Sequence, residues 1–188
     1  MDTIKKPWIL SGYQLFAAEG PKGLKVEVMA KQVNKSKSSF YHHFADLEVF
    51  TEILLNYHLE RAKIIADKER LCKNVDPELF KLMIAVKQDL FFNRQLRIHR
   101  DISQFKRCFE QASKDVGEAI IGIWADALGL TGNSGLVQMV LNLSIENFYL
   151  QITEKTLTYE WLVQYLKELK TMVSAFQHAE KHKTISIR

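Results

Sequence analysis

Only three prolines, Pro7, Pro21 and Pro77, interrupt the 188 residues, and the eight glycines are spread almost as thinly. Proline inside a helix removes a backbone donor and collides with the preceding turn, while glycine adds conformational entropy that folding must overcome. A chain with so few breaks, whose apolar residues recur at steps of three and four, has little alternative to long helices. No segment alternates apolar and polar residues convincingly as a strand would, so the expected fold class is all-α.

The helical pattern begins at Ile9 and runs through Tyr13, Phe16 and Ala17 until Glu19-Gly20-Pro21-Lys22-Gly23 stops it. A short second helix is expected from about Lys25 to Val33. Asn34 then stands where a helix ends in a left-handed residue, a role asparagine fills next best after glycine. Ser36 is a natural N-cap for a third helix, Lys37 to about His43. Asp46 can cap a fourth, 46–69, with Leu47, Phe50, Leu54, Tyr57 and Ile64 along one face. Asp76 and Pro77 look like the N-cap and first residue after a boundary near Cys72. Beyond it, helices are expected at 77–91, 94–99, 102–128, 134–152 and 158–180, with a basic tail from His178 lacking fixed structure. The resulting organisation is an N-terminal domain over 1–50 and a larger helical domain over 51–188, connected by helix 46–69.

Composition narrows the possibilities further. The 47% hydrophobic and 26% charged content suits a soluble globular chain, and no apolar run reaches the roughly 20 residues of a membrane span. The opening MDTIKKPW lacks the apolar stretch of a signal peptide, which points to the cytoplasm. Cys72 and Cys108 are too few and too far apart for a disulfide framework or zinc knuckle. There is no Gly-rich phosphate loop, no His-Glu-x-x-His and no serine or cysteine nucleophile motif, so no catalytic residue, cofactor or metal is expected. The net charge of +4 permits a polyanionic partner without requiring one.

The placement of charge says more. Lys31 to Phe44, KQVNKSKSSFYHHF, holds three lysines, three serines and the pair His42-His43 around Phe40, Tyr41 and Phe44, with no acid. A solvated helical face is the commonest explanation of such a stretch. That explanation does not need a small Ala30 where two helices cross, Asn34 at the turn and Phe40 pointing back to the core. A metal site fits less well, because neighbouring histidines on a helix diverge by about 100° and no cysteine or carboxylate stands near to complete the set. The separations fit a helix-turn-helix, whose second helix enters a major groove. Lys37, Ser38 and Ser39 would then face base edges, and Lys25, Lys35, Tyr41 and His42 would reach phosphates.

The residues from Ile9 to Phe50, with LFAAEG, VEVMAKQVNKSKSSFYHHF and ADLEVF, resemble the DNA-binding domain of tetracycline-repressor (TetR/AcrR) family transcriptional regulators. The resemblance covers about a quarter of the chain by motif. It implies that Lys37, Ser38, Ser39 and Tyr41 lie on the recognition helix, that Lys25 opens the second helix beside the DNA backbone, and that Phe44 plugs the core. This sequence departs from the family pattern at Asn34, where glycine is usual, Lys35, where a small apolar residue is usual, Leu47, where a lysine is common, and Gly12, where alanine is usual.

In the larger domain, segment 134–152 is apolar on nearly every side, and segment 158–180 carries an apolar stripe including Trp161, Tyr165 and Met172. Together with the twofold partner that a DNA reader requires, they favour a homodimer, with Phe148, Trp161, Tyr165 and Met172 as candidate interface residues. The resemblance implies a four-helix interface of the same kind. Phe105, Phe109, Trp124 and Tyr149 could line an apolar cavity, with His99, Arg100, Asn142, Glu146 or Asn147 as its polar groups, although ordinary core packing competes at each position. The expectation is a ligand-responsive transcriptional regulator, a repressor, that binds a palindromic double-stranded DNA operator as a homodimer and answers to a small, largely apolar effector. The alternative is a helical ligand-binding or protein-interaction module with weakened DNA specificity.

Overall fold

The computed structural model describes residues 3–130 and 134–185, and within the second stretch the side chains of 135–177. The described chain is all-helical and holds no strand. In order, α1 (Lys6–Glu19), a 3-10 turn (Gly20–Gly23), α2 (Val26–Gln32), α3 (Lys37–His43) and α4 (Leu47–Glu69) are followed by a π-type turn (Val75–Leu79). Then come α5 (Phe80–Ala85), α6 (Lys87–Ile98), α7 (Ser103–Leu128), α8 (Ser134–Gln151) and α9 (Tyr159–Ile185). They gather into two compact units. Met1–Asp67 and Val86–Val116 form the first, and Lys68–Ala85 and Gly117–Arg188 form the second.

The first unit is built around aromatic rings. Phe92 of α6 stacks on Tyr13 and Phe16 of α1 with centroids 4.4 and 4.3 Å away, and Phe40, Phe44 and Phe50 meet one another at 4.8–5.2 Å. Gly12 lies directly against this core. A Cβ built there would stand 2.6 Å from two ring atoms of Phe50, so the family's usual alanine would collide with it. A buried polar cluster crosses the same unit. Asp89 takes both Nε and an Nη of Arg61 at 2.9 and 2.7 Å and accepts from the Tyr13 hydroxyl at 2.8 Å. His58 stands 2.6 Å from that hydroxyl and 2.9 Å from Asn93 Oδ1. Pairing with Arg61 and Tyr13 satisfies the buried Asp89 carboxylate, which would be costly in the interior without partners.

The second unit has its own aromatic cluster, Phe148, Trp161 and Tyr165, with Trp161 stacked on Tyr165 at 5.1 Å and the Tyr165 hydroxyl donating to the Ser144 carbonyl at 2.7 Å. Phe80 meets Tyr159 edge-on at 6.0 Å, and Gln177 Nε2 donates to the Gly129 carbonyl at 3.2 Å.

Some element limits differ from expectation for identifiable reasons. Helices 77–91 and 94–99 do not form as such. The break lies at Val86, which leaves helical geometry and lets α6 run unbroken through the buried side chains Asp89, Phe92 and Leu96. The turn opens two residues before Asp76, which lies inside it and is not its N-cap. Asn74 caps instead, accepting from Glu78 N at 3.3 Å, while the Asp76 carboxylate accepts the Tyr159 hydroxyl. Ile64 is exposed on α4, whose buried face runs through Phe50, Leu54, His58, Ala62 and Ile65. Helix α9 extends to Ile185, beyond 180; the side chains of the tail from His178 lie outside the described residues.

Candidate nucleic-acid interface

Backbone chemistry positions the basic segment. Asn34 adopts φ 53°, and around it Lys35 N donates to Ala30 O at 2.9 Å and Asn34 N to Lys31 O at 3.3 Å. These are the six-to-one and five-to-two bonds that close a helix through a left-handed residue. Ser36, extended, accepts Ser39 N on its hydroxyl at 3.2 Å and starts α3 with only four residues between it and the end of α2. Asp46 does the same for α4, accepting Val49 N at 2.8 Å. Two helices thus meet across a tight turn, and Met29 and Ala30 of α2 are buried.

The apolar side of α3 is Phe40, fully buried and edge-on to Trp8 at 5.4 Å, with Phe44 behind it and Lys5 Nζ 5.8 Å over the Phe44 ring. The other side faces water. Lys35, Lys37, Ser38, Tyr41 and His42 are exposed, as is Lys25 at the N-cap of α2, and Ser39 is half-buried. Tyr41 is 55% exposed while its ring lies edge-on to Phe40 at 5.3 Å, so the phenol is braced from below and its hydroxyl left outward. His42 and His43 sit T-shaped at 5.2 Å. One feature was invisible in the spacing. Lys37 Nζ lies 2.5 Å from Glu27 Oε1 of α2, and this bond, then the backbone and the lysine charge, holds the Glu27 carboxyl below its ordinary range.

The candidate pocket residues fall in both units. His99, Phe105 and Phe109 belong to the first unit, where Phe105 packs edge-on to Phe16 at 5.4 Å. Trp124, Asn142 and Tyr149 belong to the second, where Asn142 is exposed and accepts from Gln138 at 2.9 Å. Trp124 is buried with no partner for its indole N–H, and Glu69 likewise buries Oε2 unpartnered. A groove of about 320 Å³ in the first unit, between α4 and α7, is lined by Glu52, Asn56, Leu59, Gln104, Arg107 and Gln111, none of them among the expected pocket residues.

Of the candidate interface residues, Phe148 and Tyr165 lie inside the second unit's own core, Trp161 is half-buried, and Met172 is exposed. The apolar surface of α8 falls instead on Met139, Leu143 and Leu150, at 60, 61 and 69% exposure, and that of α9 on Met172 and Phe176. Among the described residues no helix is long and apolar enough to cross a membrane.

No family model matches the chain, and no curated protein matches it. Among solved structures it is similar to that of a candidate TetR-family transcriptional regulator from Rhodococcus sp., with a TM-score of 0.58 and 17% identity over 93% of this chain and 98% of that one. At that identity the likeness is one of fold, and the all-helical architecture matches it.

Proposed function

We propose that the chain is a transcriptional regulator that binds duplex DNA through α3. The observation that carries this reading is the third helix itself. It is anchored by Phe40, capped by Ser36, and turned outward with Lys37, Ser38, Tyr41 and His42 exposed along it and Lys35 exposed in the turn before it. In this reading residues 1–50 are the DNA-reading part and 51–188 the effector and dimerisation part. Lys37, Ser38 and Ser39 meet base edges, and Lys25, Lys35, Tyr41 and His42 meet phosphates. The fold shared with the Rhodococcus structure supports the same reading.

A homodimer follows from the geometry of duplex DNA, which offers successive major grooves to a twofold pair. The exposed Met139, Leu143 and Leu150 of α8, spaced to share one face, and Met172 and Phe176 of α9 supply apolar surface for it. A small effector is supported by the buried, unpartnered indole N–H of Trp124, a donor that a bound molecule would satisfy. The deciding experiment is selection from a random-sequence duplex pool by the full-length protein. Enrichment of palindromic sites with half-site centres about 34–36 Å apart is expected. Tyr41→Phe and Lys25→Ala should then weaken every selected site alike. A pool that stays random after repeated rounds at low salt overturns the proposal.

A further inference from the structure

Glu27 is the only acidic residue between Gly20 and Ala45, a stretch that contains Lys22, Lys25, Lys31, Lys35 and Lys37. A lone carboxylate among five lysines has several choices of partner, yet it bonds the one at the first position of α3, with Nζ and Oε1 2.5 Å apart. Both side chains are more than half exposed, so the pair does not secure the core. Lys25 adds a smaller pull on the same carboxylate.

Resting on the reading of α3 as the DNA-contacting helix, we propose that Glu27 is a specificity determinant that holds Lys37 away from DNA of the wrong sequence. The carboxylate is a phosphate-like acceptor tethered within the protein, so it occupies Lys37 wherever DNA offers only one backbone oxygen in exchange. It also places a negative charge beside the polyanion, which any bound duplex must tolerate. Guanine offers O6 and N7 together on its major-groove edge and is the base best able to replace the carboxylate. Sequence-independent binding, which rests on lysine–phosphate neutralisation, is therefore reduced more than binding at a matched site. The first position of α3 thereby acts as a conditional contact.

The test measures binding of full-length wild type, Glu27→Gln, Lys37→Gln and the double variant to a mixed-sequence 30-base-pair duplex across a salt series, and to a duplex selected by the wild type. Glu27→Gln is expected to tighten mixed-sequence binding roughly two- to fivefold, the range of an exposed ion pair. It should steepen the salt dependence by about 0.9 in log–log slope, the contribution of one freed cation. The selected duplex should gain less. In the Lys37→Gln background the second substitution should leave the slope unchanged. An unchanged Glu27→Gln protein, or the same gain with and without Lys37, overturns the proposal while the DNA reading stands. Failure of all four proteins to bind either duplex overturns that reading and the proposal together.

Discussion

Two buried titratable side chains work in opposite directions as pH changes. His58 is 1% exposed, and desolvation pulls its pKa from 6.5 down to about 4, against the Asn93 hydrogen bond that favours the charged form. Between those values the unfolded chain takes up a proton that the folded one refuses. The stability tied to His58 is thus complete above pH 6.5 and is lost as pH falls toward 4, by about 3 kcal/mol in all. Glu69 is the reverse case. Burial raises its pKa from 4.5 to about 7, with only Arg70 pulling it back, and its Oε2 has no partner. The folded chain holds that proton longer, so stability tied to Glu69 is present below pH 4.5 and is lost as pH rises to 7, again by about 3 kcal/mol. Glu69→Gln should therefore stabilise the protein at pH 8 and leave it nearly unchanged at pH 4.5. Denaturant midpoints at the two pH values check this, and equal shifts at both would contradict it. Neither role was readable beforehand. His58 occupies a core position of α4 where an apolar residue would have shown the stripe, and Asp89, which makes that polar interior tolerable, stands 28 residues from Arg61 and 76 from Tyr13 in the chain.

The elements that could be placed from sequence are those whose ends depend on neighbouring residues. Ser36, Asp46 and Asn34 act within three or four positions of themselves, and all three form the caps and turn expected of them. Asn74 and Val86 did not announce themselves, because their roles follow from what α9 and α1 offer. Asp76 is taken by Tyr159, and Asp89 in the first turn of α6 accepts from Tyr13, each partner distant in the chain. Ile64 shows the same limit, since helical spacing alone allows more than one stripe on α4 and only the packed partners select the one through His58. Local caps also have local consequences. Ser36→Ala and Asp46→Ala each leave a helix N–H unpaired and should cost about 1 kcal/mol. Asn34→Gly relieves a left-handed backbone at φ 53° and should be neutral or mildly stabilising, although glycine also frees the unfolded chain. Urea midpoints of the three variants test these signs. Ser36→Ala should in addition weaken DNA binding, because fraying the first turn of α3 unsettles Lys37 and Ser38, and a Ser36→Ala protein with full affinity would show that this turn does not meet DNA.

On the proposed reading of the whole molecule, pairing rests on α8 and α9 and release on α4. Leu143→Glu sets a charge in the middle of the α8 stripe at a side chain that is 61% exposed, so the protomer should fold while the proposed dimer dissociates. Sedimentation should then show monomers whose thermal midpoint matches wild type within a few degrees, with DNA affinity lowered because each half-site must be bound separately. Phe148→Glu and Tyr165→Glu should instead unfold the second unit, since both rings are interior. Release requires a further condition. An effector alters DNA affinity only if it binds one arrangement of the protein better than another, and α4 (Leu47–Glu69), like α7 (Ser103–Leu128), carries residues of both units. If effector binding shifts α4 enough to change the separation of the two α3 helices, both half-sites cannot be held at once, and a coupling of about 1–3 kcal/mol gives roughly 5–150-fold release. DNA must then weaken effector binding by the same factor. Trp124→Phe keeps the apolar ring and removes the unpartnered N–H, so it should lower effector affinity while leaving effector-free DNA binding intact. Titrating an effector found by ligand screening into the protein with and without its selected duplex decides the matter. Equal affinities in the two titrations would separate effector binding from DNA release and leave α4 a structural connector.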